Sequence, residues 1–174
     1  MNDPFDVMGV EARFDLDVAA LEKRHRELSK ALHPDRHASA PPAERRMALS
    51  RAIEVNEALR ALRDPIRRAE ALARRLSLPV GETTEPKPSP ALLMEMMEAR
   101  EELAAAGSKK DAAALAKLGD AMRRRESSVL DGLTTAFAAS GHERVLPLLG
   151  ELRYVRRFLD EVSALEEAAL EAQS

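Results

Sequence analysis

A proline-rich break divides this sequence into two parts that cannot share one continuous helix. The fourteen residues from Ser77 to Pro90 contain four prolines and a glycine. Proline lacks the backbone N–H that a helix needs, and it biases the preceding residue away from helical geometry. We therefore expect a first domain at 1–76, a linker at 77–90 and a second domain at 91–174.

The amino-acid composition favours helices over sheets. Charged residues make up 33% of the 174 residues, and aromatic residues only 3%. Alanine, leucine, glutamate and arginine, which all form helices readily, dominate the sequence. We therefore expect the all-α fold class.

Several kinds of function fit this composition poorly. The chain has no cysteine, so it can hold neither a disulfide nor a metal or cluster through thiolates. The first residues include no basic targeting segment, and no apolar run approaches the ~20 residues of a membrane span. The net charge is +2 over residues 1–80 and −5 over 81–174, which disfavours nucleic-acid binding. We expect a cytoplasmic protein with no membrane or nucleic-acid partner.

Apolar residues in the first part recur at steps of three and four, the spacing of amphipathic helices. One set is Val18, Leu21, Leu28 and Leu32 with His25 completing the spacing, and a second set is Ala48, Ala52, Val55, Leu59 and Leu62. The loop from His33 to Pro42 should join these helices as an antiparallel hairpin. Asp64-Pro65 interrupts the second helix, so a short arginine-rich helix is expected at 66–76.

Three further helices are expected after the linker. The first should run over 91–106 and stop at Gly107, a common residue just past a helix end. The second should span about 109–139, and Ser140-Gly141 should separate it from a third at about 143–172. Helices with such short connections favour an antiparallel three-helix bundle.

The tripeptide His33-Pro34-Asp35 directly follows the first long helix. Alone it predicts an exposed turn in which proline fixes φ and aspartate accepts backbone hydrogen bonds. The helix before it, the arginine after it and the second helix through Asp64-Pro65 together resemble the J domain throughout. That resemblance implies that His33, Pro34, Asp35 and Arg36 dock on an HscA/DnaK-type ATPase chaperone and speed its ATP hydrolysis. It also implies that the chain has no catalytic residue and needs no cofactor.

The helix before the tripeptide has a positive face. Lys23, Arg26 and Lys30 cluster almost opposite the apolar arc of that helix. They could simply form its solvated side. The J-domain resemblance implies instead that these cations steer the helix onto an acidic chaperone surface.

Three histidines require separate interpretations. His25 stands where J domains usually carry an aromatic residue, and Leu32 replaces a common tyrosine, so the core should pack differently there. His33 and His37 are four residues apart, a spacing that could chelate a metal within a helix. Pro34 lies between them and no cysteine is available, so we expect no metal site.

The second domain carries more apolar surface on its first helix than a bundle core needs. The expected core stripe is Leu92, Met96, Ala99 and Leu103. Leu93, Met94 and Met97 remain as a second set, which we call the apolar strip. Methionine side chains suit adaptable contacts, and Glu98, Arg100 and Glu101 would supply a polar rim. From periodicity alone, the apolar strip could instead pack beneath the first domain.

The segments 91–103 and 152–162 resemble the corresponding parts of HscB, a J-domain co-chaperone of iron–sulfur cluster assembly. This resemblance implies that the apolar strip and its rim bind an IscU-type iron–sulfur scaffold protein. Tyr154 lies where HscB has an aromatic residue near the same site. Two alternatives remain: a J-domain co-chaperone with a different client, or a helical interaction module without catalysis. Paired glutamates on alanine-rich helices are usually solvated, so we do not expect an enzyme.

Overall fold

The structure is a computed structural model that describes residues 2–81, 88–139 and 142–171. Throughout these ranges the regular secondary structure is helical, with no strand, which confirms the predicted all-α class. The chain divides into two compact units, residues 1–80 and 81–174. In the described part of the chain, no helix has both the length and the apolarity needed to cross a membrane.

The first unit is a helical hairpin with short helices at both ends. Its elements are α1 (Pro4–Met8), α2 (Val18–Ala31), a 3₁₀ helix (Pro34–His37), α3 (Pro42–Arg63) and α4 (Pro65–Arg75). Asp17 begins α2, and its carboxylate accepts hydrogen bonds from the backbone N–H groups of Ala19 and Ala20. Asp64 begins α4 in the same way, because its carboxylate accepts a hydrogen bond from Arg67 N–H. These caps satisfy N–H groups that have no partner within the helix.

Helices α2 and α3 run antiparallel, as the apolar periodicity predicts. Glu22 forms an ion pair with Arg63 at 3.6 Å, and His25 Nε2 lies 2.8 Å from Asn56 Oδ1. The partner's residue number falls along α3 as the residue number rises along α2, so the two helices are antiparallel. At the position where J domains usually carry an aromatic residue, His25 thus makes a polar bridge to α3.

Helix α1 was not predicted from the sequence, although it completes the first unit. Phe5 and Met8 from this five-residue helix are fully buried. Arg75 at the end of α4 binds it through Asp3 at 2.6 Å and Asp6 at 3.0 Å. The ion pairs of Arg75 therefore tie the two ends of the first unit together.

Arg68 is a buried cation in the first unit. Its Nη1 donates to Leu62 O at 2.8 Å, and its guanidinium lies 4.9 Å from the centre of the Phe14 ring. Burial lowers the pKa of Arg68, while Asp64 and Asp15 oppose this effect. The carbonyl and the ring face together compensate part of the desolvation cost of the charge.

The second unit contains three helices: α5 (Pro90–Lys109), α6 (Ala112–Ala138) and α7 (Val145–Glu171). Residues 82–87 of the expected linker, the expected break at Ser140-Gly141 and the chain beyond Glu171 lie outside the described residues. Gly119 and Gly132 of α6 approach Val162 and Leu148 of α7, so these two helices are antiparallel. The bundle core includes Leu103 and Ala106 of α5, Leu115 of α6, and Phe158, Val162 and Ala169 of α7. The predicted three-helix bundle is confirmed.

The prediction that Gly107 ends the first helix of the bundle is wrong. Helix α5 continues to Lys109, and Lys110 (φ 51°) adopts the left-handed conformation that ends it. A Cβ at Gly107 would lie 3.0 and 3.1 Å from the terminal methyls of Leu165. The glycine therefore serves close packing of α5 against α7, a tertiary requirement that its sequence neighbourhood does not reveal.

We predict that Gly107→Ala leaves the melting temperature almost unchanged, because a gain in helix propensity of ~1 kcal/mol offsets the crowding of Leu165. Gly107→Leu should destabilise the bundle by ~1–3 kcal/mol through overpacking. Scanning calorimetry would measure both. Gly9→Ala is the control, because Gly9 has φ 62° and alanine there should cost ~1 kcal/mol or more. A Gly107→Ala penalty as large as that of Gly9→Ala would contradict the expectation that the gain in helix propensity offsets the crowding of Leu165.

Candidate functional site

The tripeptide His33-Pro34-Asp35 lies at the junction between the two long helices of the first unit. Leu32 ends α2, and His33 turns into an extended conformation (φ −60°, ψ 134°) before Pro34 begins the 3₁₀ helix. Arg36 N–H donates to His33 O at 3.0 Å and closes this turn. The backbone geometry of the tripeptide is thus fixed by proline and by a local hydrogen bond.

The side chains of the tripeptide are presented to solvent. Asp35 N–H donates to His33 Nδ1 at 3.3 Å, which leaves Nε2 as the ring nitrogen that can donate to a partner. The Asp35 side chain is 90% exposed, and its carboxylate lies 3.5 Å from His33 Nδ1. The exposed carboxylate is available for a charge-assisted bond to a partner cation. Pro34 and Arg36 are also exposed.

His37 anchors this loop, a role that sequence reasoning missed. Its Nε2 donates to Ala31 O at 3.2 Å, and its own carbonyl accepts from Ala40 N–H at 3.0 Å. The ring therefore ties the 3₁₀ helix to the last turn of α2. Across residues 2–81, 88–139 and 142–171, no group of three or more histidine, cysteine, aspartate or glutamate side chains could hold a metal ion.

The three predicted cations of α2 are all exposed: Lys23, Arg26 and Lys30. Their neighbour Arg24 differs, because its Nε donates to Met8 O at 3.2 Å and its Nη1 lies 3.5 Å from Glu27. One cation of α2 thus supports the fold through α1, whereas the predicted three lie on the solvent side.

Helix α3 also carries exposed apolar residues, to which the sequence analysis assigned no role. Met47, Leu49 and Ile53 are 62%, 58% and 51% exposed. Met47 borders a groove that Val7 of α1 and Leu28 of α2 also line. The helical periodicity of α3 predicted its buried side but gave no reason to assign function to the other side.

In the second unit, α5 exposes the apolar strip. Leu93, Met94 and Met97 are 49%, 63% and 58% exposed. The predicted core stripe is less uniform: Leu103 is buried, whereas Leu92, Met96 and Ala99 are only half-buried. The predicted rim residues Glu98, Arg100 and Glu101 are exposed.

Tyr154 connects α7 to the backbone of α5. Its hydroxyl donates to Met96 O at 3.0 Å, and its ring centre lies 6.1 Å from that of Phe158. The Arg100 guanidinium lies 6.0 Å from the Tyr154 ring and 3.2 Å from Glu161. Burial raises the pKa of Tyr154, so its hydroxyl stays protonated and able to donate well above neutral pH. Sequence reasoning assigned Tyr154 to partner binding and missed its bond to α5.

A second polar connection reaches α5 from α6. Arg125 Nη1 lies 2.7 Å from Glu95 of α5, and Arg125 Nε lies 2.8 Å from Glu151 of α7. Partial burial opposes the charged form, but hydrogen bonds to Glu95 and Glu151 raise the pKa of Arg125 overall. No sequence pattern signalled this bridge, because its members come from three separate helices.

Two family models match the chain, one in each unit. The DnaJ domain model covers residues 3–71, and the model described as the HSCB C-terminal oligomerisation domain covers residues 88–163. These matches place the tripeptide in the first family's region and the apolar strip in the second's.

Several relatives match almost the whole chain. The co-chaperone protein HscB homologue of Bordetella petrii is 35% identical, covering 96% of this chain and 98% of the relative. The homologue of Burkholderia vietnamiensis is 37% identical, covering 92% of this chain and 91% of the relative. The structure of chaperone HscB from Vibrio cholerae superposes with a TM-score of 0.83 at 30% identity, covering 97% of this chain and 99% of the Vibrio chain. The crystal structure of human co-chaperone protein HscB superposes with a TM-score of 0.84, covering 94% of this chain and 82% of the human chain. Its sequence identity is 24%, so this match supports the fold alone. The chain belongs to the HscB family of J-domain co-chaperones.

Proposed function

We propose that this chain stimulates ATP hydrolysis by an HscA/DnaK-type chaperone through the His33-Pro34-Asp35 loop and delivers an IscU-type iron–sulfur scaffold protein to it through α5. The chain does no catalysis of its own. The observation that carries the proposal is an exposed loop in the first unit, restrained by a proline and local hydrogen bonds, together with an exposed apolar strip in the second. A J domain implies partnership with an ATPase chaperone, and the scaffold is the client we assign to the second unit.

The loop suits a chaperone contact because its geometry is fixed before binding. Pro34, the turn hydrogen bond from Arg36 and the His37 bond to α2 all limit its conformations. A preorganised loop loses less entropy when it docks. Asp35 then offers its carboxylate and His33 its ring N–H without rearrangement.

The exposed cations of α2 support a contact with an acidic chaperone surface. Lys23, Arg26 and Lys30 lie on the helix that leads into the loop. Charges on the rim of an interface raise the association rate more than the final affinity.

The apolar strip supports client binding on α5. Three adjacent apolar side chains stay about half exposed or more, although helices α6 and α7 are available to bury them. Exposed methionine and leucine side chains surrounded by Glu98, Arg100 and Glu101 have the pattern of a protein interface with a polar rim.

The loop assignment predicts that His33→Gln or Asp35→Asn abolishes stimulation of the chaperone ATPase and leaves the circular dichroism spectrum unchanged. The reason is that both side chains are exposed and make no core contact. Glu44→Gln is the matched control, since it removes an exposed carboxylate at the start of α3 outside the loop. Steady-state ATP turnover measures the effect, and unchanged stimulation by both loop variants would refute the assignment.

The charge assignment predicts that Arg26→Glu slows association with the chaperone, and that the wild-type association rate falls as salt rises. Stopped-flow measurements between low and physiological ionic strength give both quantities. Arg123→Glu, a reversal at an exposed arginine of α6, is the control. An association rate independent of salt would show that the α2 cations form only a solvated face.

The client assignment predicts that replacing Leu93, Met94 and Met97 together with alanine weakens scaffold binding by a few kcal/mol, because truncated interface anchors commonly cost ~1–2 kcal/mol each. The melting temperature and the ATPase stimulation without scaffold should stay normal. If the apolar strip were packed in a core, each truncation would instead cost ~2–5 kcal/mol of stability.

The structure provides a matched control for this triple variant. Met47, Leu49 and Ile53 have nearly the same exposed fractions but belong to the first unit, so their triple replacement should leave scaffold affinity unchanged. Normal scaffold affinity after truncation of the apolar strip would exclude the strip as the client site. If the wild-type protein stimulates the ATPase normally but does not bind the scaffold, the result would favour a different client.

A further inference from the structure

The part of α5 that bears the apolar strip has almost no buried side chain. Helix α5 runs from Pro90 to Lys109, yet its buried residues are Leu103 and Ala106 in the second half. Helix α7 of the same bundle has buried residues along its whole length, from Val145 to Ala169. Apolar burial therefore holds the C-terminal half of α5 most firmly, whereas Leu92, Met96 and Ala99 in its first three turns are only half-buried. Polar contacts therefore contribute more to the orientation of these turns.

Polar contacts from the other two helices meet this first half of α5. They are the Arg125 ion pair with Glu95, the Tyr154 hydroxyl bond to Met96 O, and the ion pair between Arg100 and Glu161. Their positions on α5, at 95, 96 and 100, lie among and just after those of the apolar strip at 93, 94 and 97. They hold the helix from the side that α6 and α7 occupy.

Arg125 is the member of this set that forms ion pairs with two other helices. Its guanidinium contacts carboxylates on two different helices, Glu95 of α5 at 2.7 Å and Glu151 of α7 at 2.8 Å. The Arg125 side chain is 34% exposed and that of Glu151 is 18% exposed, so this pair is better shielded from water than a typical surface pair. A planar guanidinium with several fixed donors suits a bridge between two carboxylates better than a lysine ammonium does.

We infer that Arg125 is a positioning residue for client binding: it holds Glu95, and with it the first half of α5, so that the apolar strip is presented in one orientation. The inference rests on the proposed client role of the apolar strip. Without the guanidinium, Glu95 would lose its ion pair with α6, and the segment of α5 that apolar burial holds least would loosen.

The test compares three variants of the full-length chain by scaffold affinity and by amide hydrogen exchange. Glu95 is 57% exposed, so Arg125→Met and Glu95→Gln should each weaken scaffold binding by about twofold to fivefold, near the upper range of an exposed ion pair. Exchange should accelerate over residues 90–102 and stay unchanged around Leu103 and Ala106. Arg123→Met is the matched control, since Arg123 is an exposed arginine of α6 whose ion pair with Asp120 stays within that helix.

The double variant Arg125→Met with Glu95→Gln separates positioning from direct contact. If Arg125 acts through Glu95, the second substitution adds less than about twofold after the first, because coupled residues are not additive. Additive losses would mean that Glu95 or Arg125 touches the client independently, and would overturn the inference. So would wild-type affinity and unchanged exchange in both single variants.

The exchange measurement keeps this inference distinguishable from the proposed function. If the wild type binds no scaffold, the client assignment fails, and the chain alone still reports whether Arg125 orders residues 90–102. Unchanged exchange in Arg125→Met and Glu95→Gln would then refute the positioning role. Because Glu95→Gln retains the Arg125 bridge to Glu151, it remains informative even if Arg125→Met disturbs the bundle.

Discussion

Proline at the first position of a helix is the constraint on which most of this architecture depends. In the described residues, five helical segments begin with proline: Pro4, Pro34, Pro42, Pro65 and Pro90. Proline costs nothing there, because the first N–H of a helix has no partner within it, and its φ is already helical. It also prevents the preceding helix from continuing. Pro34 thus separates the tripeptide loop from α2, and Pro65 separates α4 from α3.

The same constraint explains how an exposed loop can have a restrained backbone. A polar loop with no core contacts would ordinarily sample many conformations. Here the fixed φ of Pro34 and the hydrogen bond from His37 to the last turn of α2 hold the backbone without burying the side chains. The restraint comes from local covalent geometry and hydrogen bonds, which leaves His33 and Asp35 free of any role in the core.

The sequence predicted the helices whose stability comes from long amphipathic faces, namely α2, α3 and the bundle. It failed where a feature depends on tertiary neighbours. Helix α1 has only five residues, too short for a periodic pattern, and it exists because Phe5 and Met8 fill the core of the first unit. Gly107 has the identity of a helix terminator, but its role is set by the proximity of Leu165.

In the candidate sites too, the features set by helical spacing were predicted and those set by tertiary neighbours were not. Helical spacing separated the apolar strip from the stripe that faces the bundle, but it left open whether the strip is exposed or packs beneath the first domain. The bonds of Tyr154 and Arg125 to α5 could not be foreseen, because residues from three helices meet only after folding. Polar bonds between helices depend on register and rotamer, which periodicity does not specify.

These polar bonds have an energetic consequence for the proposed client role. The first half of α5 has little apolar burial of its own, so its docking against α6 and α7 contributes a small part of the stability of the bundle. A client that covers the apolar strip would bury that missing apolar surface and would bind the docked helix better than a loosened one. Thermodynamic linkage makes this relation reciprocal: contacts that dock α5 strengthen client binding by the same free energy with which the client stabilises docking. Moderate ion pairs suit that coupling, because they orient the helix without requiring its exposed face to join the core.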